Sequence, residues 1–178
     1  AASIRIRSTR AWLERTGDLI AQLLAEDFIL VDSQSSFDKL QSILQPRLEE
    51  YWQMLQPIFL NEGEIHDKRS RYTFPHGILP PEIRDAAGNL FSAFSQLAGL
   101  FANIAEELKI ELEETSDLSR KELAEQFYPV IGYAQRRAEG SASLWLAYSQ
   151  EDDLTKPPVA RWMTYQEDDT QIETTLSA

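Results

Sequence analysis

Cysteine is absent from this chain of 178 residues, which excludes disulfide frameworks, thiolate zinc sites, iron-sulfur clusters and cysteine nucleophiles together. That composition fits the cytoplasm or another reducing compartment. Histidine is scarce as well: the two present, His66 and His76, fall outside every helical pattern, so the Glu-x-x-His pairs that build di-iron sites in helical bundles do not occur. Glu62, Glu64, His66 and Asp67 could gather around a cation, but without a second ligand set they read as solvated loop polarity, and no metal or cofactor is expected. Positive charge is also in short supply. With 17 Lys and Arg against 29 Asp and Glu, the net charge is -12, which repels a phosphate backbone and argues against nucleic acid.

Three common catalytic and phosphate-binding patterns are missing: Gly-x-Gly-x-x-Gly, Gly-x-x-x-x-Gly-Lys-Ser/Thr and Gly-x-Ser-x-Gly. Carboxylates are numerous but nowhere arranged in a recognisable catalytic pair, so no catalytic residue is nominated. No Asn-x-Ser/Thr sequon occurs. The chain opens on Ala1-Ala2-Ser3 in place of Met, which implies processing or excision from a longer chain.

Glycine and proline are few, 7 and 8, and between them apolar residues recur at helical spacing, so the sequence predicts an all-α fold. A first helix is expected over 9–31, on the spacing of Trp12, Thr16, Ile20, Leu23 and Phe28, followed by a turn at Asp32 to Ser36. A second carries Phe37, Leu40, Leu44, Leu48, Tyr51, Leu55 and Ile58. Pro46 should kink it near Gln45 or split it in two. The third is marked by Pro81 in its first turn and by the heptad seam Ile83, Ala87, Leu90, Phe94, Leu97, Phe101, Ile104 and Leu108. Its apolar stripe is wider than a two-helix seam, which puts it at the centre of the fold. Leu118, Ser119, Glu122 and Leu123 suggest a capping box and hydrophobic staple for the fourth, whose seam reads Leu123, Phe127, Val130, Ala134, Ala138, Ser141, Trp145 and Tyr148.

The expected architecture is an antiparallel bundle of four main helices over 1–150, with a long loop between the second and third and a C-terminal arm. Within the loop, Ile65, Tyr72 and Phe74 could pair as a small hairpin. After Gln150 the period fades, and 151–178 reads as an acidic tail with an aromatic patch.

Three features invite functional readings. The 20 residues from Ala86 to Ala105 carry no charge, long enough to cross a bilayer core. Five polar side chains, flanks of Arg84-Asp85 and Glu106-Glu107, and a mean hydropathy of -0.37 weigh against a membrane role. Lys68, Arg69 and Arg71 interleave with Tyr72 and Phe74, a basic patch suited to an acidic partner surface. In the C-terminal arm, Trp162 and Tyr165 follow Pro157-Pro158, a mixture typical of groove-filling anchors.

The function expected from these features is non-catalytic: a helical adaptor or accessory subunit that binds another protein through Lys68, Arg69, Arg71, Tyr72, Phe74, Trp162 and Tyr165. Two alternatives are a membrane-active bundle that inserts residues 86–105, and a bundle that holds an apolar ligand in a pocket lined by Phe91, Phe94, Phe101, Trp145 or Tyr148.

Overall fold

Residues 2–62, 64–66, 69–153, 155–156, 159–168 and 171–178 are described by a computed structural model. Among the described residues, helical spacing of apolar side chains yields four long helices: α1 (Ile6–Ala25), α2 (Val31–Glu62), α3 (Pro81–Glu114) and α4 (Leu118–Ser149). The heptad seam of α3 is buried at every position from Ile83 to Leu108, and the Phe101 ring meets both Trp12 of α1 and Phe37 of α2. On its other side α3 packs along α4. The third helix is therefore central, as its wide stripe requires. Short connections after α1 and α3 turn each helix back beside its predecessor.

The fold is mostly helical, as expected, with a small antiparallel sheet in addition. Among the described residues, five short strands, β1 (Ser3–Arg5), β2 (Glu64–His66), β3 (Arg69–Thr73), β4 (Trp162–Asp168) and β5 (Gln171–Ser177), form an antiparallel sheet in the order β1-β5-β4-β3-β2. Two of them make the hairpin that the loop after α2 had suggested. The C-terminal stretch, read from its composition as an arm, supplies the central strand β4 and its neighbour β5. Its alternation of Met163, Tyr165, Thr174 and Leu176 is too short to stand out, and its partner β1 comes from the other end of the chain: Ile4 pairs with Leu176, which pairs with Met163. All three are buried in the same core as the helices.

Helix boundaries differ from expectation where side chains away from the periodic face decide them. α1 stops at Ala25 because Asp27 adopts a left-handed conformation, φ 57°. The Phe28 amide then reaches the Leu23 carbonyl at 2.9 Å and the Asp27 amide reaches Leu24 at 3.0 Å, the paired bonds of a Schellman C-terminus. The turn thus falls at Glu26 to Leu30 in place of Asp32 to Ser36. Pro46 and Pro57 both lie inside α2, which continues as one helix.

The N-cap of α4 is Asp117, whose carboxylate accepts from the Ser119 and Arg120 amides. An anionic cap also satisfies the helix dipole better than the hydroxyl of Ser119 would. Leu118 is 76% exposed and staples nothing. Early in α4 the seam runs through Ala124 and Ile131, while Val130 faces out.

Arg120 joins the two turns at this end of the bundle. Its guanidinium donates to the Glu26 and Asp27 carbonyls at 3.0 and 3.1 Å, pairs with Glu111 and lies 4.4 Å from the centre of the Phe28 ring. The hydrogen bond to Glu111 raises its pKa above the ordinary arginine value.

Asp27 is the position where backbone conformation can be tested. Asp27→Gly should keep or raise stability, whereas Asp27→Val should lose about 1 to 2 kcal/mol because a β-branched side chain resists a left-handed backbone. Urea unfolding of the two variants beside the parent measures the difference.

Candidate functional site

The register of the sheet brings together two segments that lie about ninety residues apart in the chain. Thr73 pairs with Trp162, Tyr72 with Met163, Arg71 with Thr164 and Ser70 with Tyr165. Directly opposed residues share a face and successive residues alternate. Tyr72, Met163, Leu176 and Ile4 therefore form one row toward the helices, with Tyr165 and Thr174 beside it. Trp52 of α2 closes over that row by donating its indole N–H to Thr174 Oγ1 at 3.2 Å. The opposite face, toward solvent, carries Arg71, Thr73, Trp162, Thr164 and Thr175.

Among the nominated residues, Arg71 and Trp162 meet on this outer face. The Arg71 guanidinium lies 5.1 Å from the Trp162 ring centre, within the range where a cation is attracted to the ring's negative face. Arg71 is exposed and Trp162 half-buried. Tyr72 and Tyr165 pack partly against the core from the inner face. Phe74 is only 2% exposed; its ring lies edge-on to Tyr72 at 5.2 Å and to Tyr148 at 6.3 Å. It supports the patch from below and offers no surface to a partner. Lys68 lies outside the described residues, as does the side chain of Arg69.

Sequence reasoning missed Arg161. Its side chain is 1% exposed, yet every group on it has an acceptor. Nε donates to the Ala147 carbonyl at 2.8 Å, and Nη2 to the Gln150 carbonyl at 3.1 Å. Nη1 reaches the Gly77 carbonyl at 2.6 Å and the Asp152 carboxylate at 2.9 Å. Gly77 sits in a 3-10 turn, Pro75–Gly77, with φ 74°, a conformation that presents its carbonyl without a side-chain penalty. One guanidinium thus fixes the end of α4, the turn before α3 and the start of β4. The Phe74 amide adds a bond to the Arg161 carbonyl at 3.1 Å.

Tyr148 extends this anchor. Its hydroxyl lies 2.9 Å from the Trp162 carbonyl and 3.0 Å from the Ser177 carbonyl, so a single proton is shared between two strands. Trp145 stands between Tyr148 and Tyr51, with ring centres at 6.4 and 4.7 Å. The Tyr51 hydroxyl and the Trp145 indole N–H are buried without a hydrogen-bond partner among the described residues.

The uncharged stretch from Ala86 to Ala105 is occupied with packing: Ala87, Leu90, Phe94, Leu97, Phe101 and Ile104 are all buried. Among the described residues no helix is long and apolar enough to cross a membrane. Phe94, Phe101, Trp145 and Tyr148 are completely buried. The three cavities described at the surface are lined by other residues. Among the described residues no group of three acidic or histidine side chains is placed to hold a metal ion; Glu64, His66 and Asp67 fall outside that description. The chain matches no family model and no characterised protein sequence.

Burial raises the pKa of both Tyr51 and Tyr148 above the ordinary tyrosine value, and in Tyr51 the proximity of Tyr148 adds to the effect. A raised folded pKa contributes stability that is fully present below the unfolded value of about 10 and is lost as pH rises above it. Spectrophotometric titration should therefore show a late tyrosine step coinciding with unfolding. Tyr51→Phe, which removes a buried hydroxyl with no partner among the described residues, should cost little or nothing; Tyr148→Phe, which removes a donor shared by two carbonyls, should cost about 1 kcal/mol. Equal effects in urea unfolding would contradict the assignment.

Proposed function

We propose that this protein is a non-catalytic adaptor or accessory subunit whose open sheet face docks an acidic segment of another protein, in the cytoplasm or another reducing compartment. The observation that carries the reading is the Arg71 guanidinium stacked 5.1 Å from Trp162 on the solvent side of the sheet. Arginine and tryptophan are the residue types most often found at the energetic centre of protein interfaces. A stacked guanidinium is pre-oriented, so less side-chain entropy is lost when a carboxylate binds.

The surroundings favour an acidic partner. Arg71 forms no salt bridge with a carboxylate among the described side chains; Glu64 of β2 is its register partner, and Lys68 and Arg69 adjoin it in sequence. Thr164 and Thr175 beside it offer hydroxyls for hydrogen bonding. Arg161 and Tyr148 tie the strands beneath the patch to the helices.

Native pull-down with mass spectrometry names the partner. Arg71→Ala and Trp162→Ala should each weaken its binding by roughly 30-fold or more, the effect of losing an interface hot spot. Their urea midpoints should stay near the parent's, since both side chains lie on the solvent face. Undiminished capture by both variants would remove this face from consideration.

A further inference from the structure

We propose that the groove between the free edge of β1 and α4 binds a small molecule bearing a phosphate or carboxylate group, held by Arg137 and Arg5. This groove has a volume of about 370 Å³ and is lined by residues that include Arg5, Ser8, Thr9, Arg137, Gly140 and Ser141. That is within the usual size range of small-ligand sites. Arg5 and Arg137 are both among its lining residues and no acid is, in a chain where acids outnumber bases 29 to 17.

Neither arginine is neutralised. Among the described residues no carboxylate lies within salt-bridge distance of Arg5 or Arg137. Glu173 on β5 is committed elsewhere, because its two oxygens accept from the Arg7 and Ser8 amides at 3.0 and 3.2 Å and so cap α1. An arginine facing a groove without a counter-ion leaves a positive potential that an anion can satisfy.

Arg137 is also held in one orientation. Its guanidinium lies 4.9 Å from the centre of the Trp12 ring, and Nη2 donates to the Ser8 carbonyl at 3.3 Å and the Ser8 hydroxyl at 3.4 Å. Nε and Nη1 have no protein acceptor among the described residues. Nε and Nη1 lie on different edges of the guanidinium, and each keeps an N–H that can donate to an oxyanion.

The remaining wall adds donors. Ser8 Oγ accepts from Arg137, which leaves its own proton free. In β1, Ala2 exchanges both backbone bonds with Ala178, so by strand alternation the Ser3 amide turns toward the sheet's free edge. Gly140 has nothing within 4 Å of where a Cβ would stand, which keeps the α4 side open.

The test is calorimetric titration of the full chain in chloride buffer with inorganic phosphate, adenosine monophosphate and citrate, beside NMR detection of the arginine Nε–H signals. At least one probe should bind saturably and shift the Arg137 signal. Phosphate or the nucleotide alone would identify a phosphate ligand; citrate alone would identify a carboxylate. Arg137→Gln should weaken binding roughly 10-fold or more, as loss of charge-assisted hydrogen bonds does. Arg5→Gln, an exposed change that leaves the Trp12 and Ser8 contacts intact, should weaken it about 3-fold with an unchanged unfolding midpoint. No saturable binding of any probe up to about 10 mM, or binding undiminished in both variants, would overturn the proposal.

Discussion

The guanidinium of Arg161 sits where the end of α4, the turn before α3 and the first residue of the C-terminal hairpin converge. Taking such a group out of water costs several kcal/mol unless its donors are answered, and here they are, by three backbone carbonyls and the Asp152 carboxylate. Carbonyls left at a helix end and in a tight turn need donors of their own. Arg161 and these carbonyls therefore satisfy one another. Loss of the side chain would strand several buried acceptors at once, which is why one residue can govern the attachment of a sheet to a bundle.

From that anchor the outer structure follows. Tyr148 carries the hydrogen bonding into β4 and β5, and Met163, Leu176 and Ile4 bury the inner face of the sheet in the helical core. With one face buried, the register is fixed, since a slip of one residue would turn Met163 to solvent. The same register sets Arg71 and Trp162 side by side on the opposite face. Stability and the proposed partner surface are thus two faces of one sheet, and the strands need not move to present it.

The helices were legible because their signal is long. Eight seam positions of α3, from Ile83 to Leu108, all prove buried, and the Phe37 to Leu55 stripe of α2 is equally faithful. Boundaries were less so: Asp27 ends α1 through a backbone conformation open to few residues, and Asp117 was outcompeted in the sequence pattern by Ser119. At Val130-Ile131 two adjacent β-branched residues fit the same period, and only packing selects Ile131. The strands escaped because β1 has three residues and pairs with the far end of the chain, a relation that local periodicity cannot carry. The Arg71 and Trp162 pair was nominated by residue type, but their contact depends on that pairing. Arg161 resembled any other charge in an irregular segment, and Phe74, chosen for its aromatic character, serves the core.

The central claim is that Arg161 fixes the hairpin to the bundle and thereby supports the Arg71 and Trp162 face. Urea unfolding of Arg161→Met, with amide exchange of β4 and β5 followed under native conditions, tests it most directly. The account predicts a loss of about 3 to 5 kcal/mol, the range for breaking a buried ionic contact, with protection in both strands falling further than in α3. A loss below about 1 kcal/mol, the size of a surface pair, with strand protection unchanged, would contradict it.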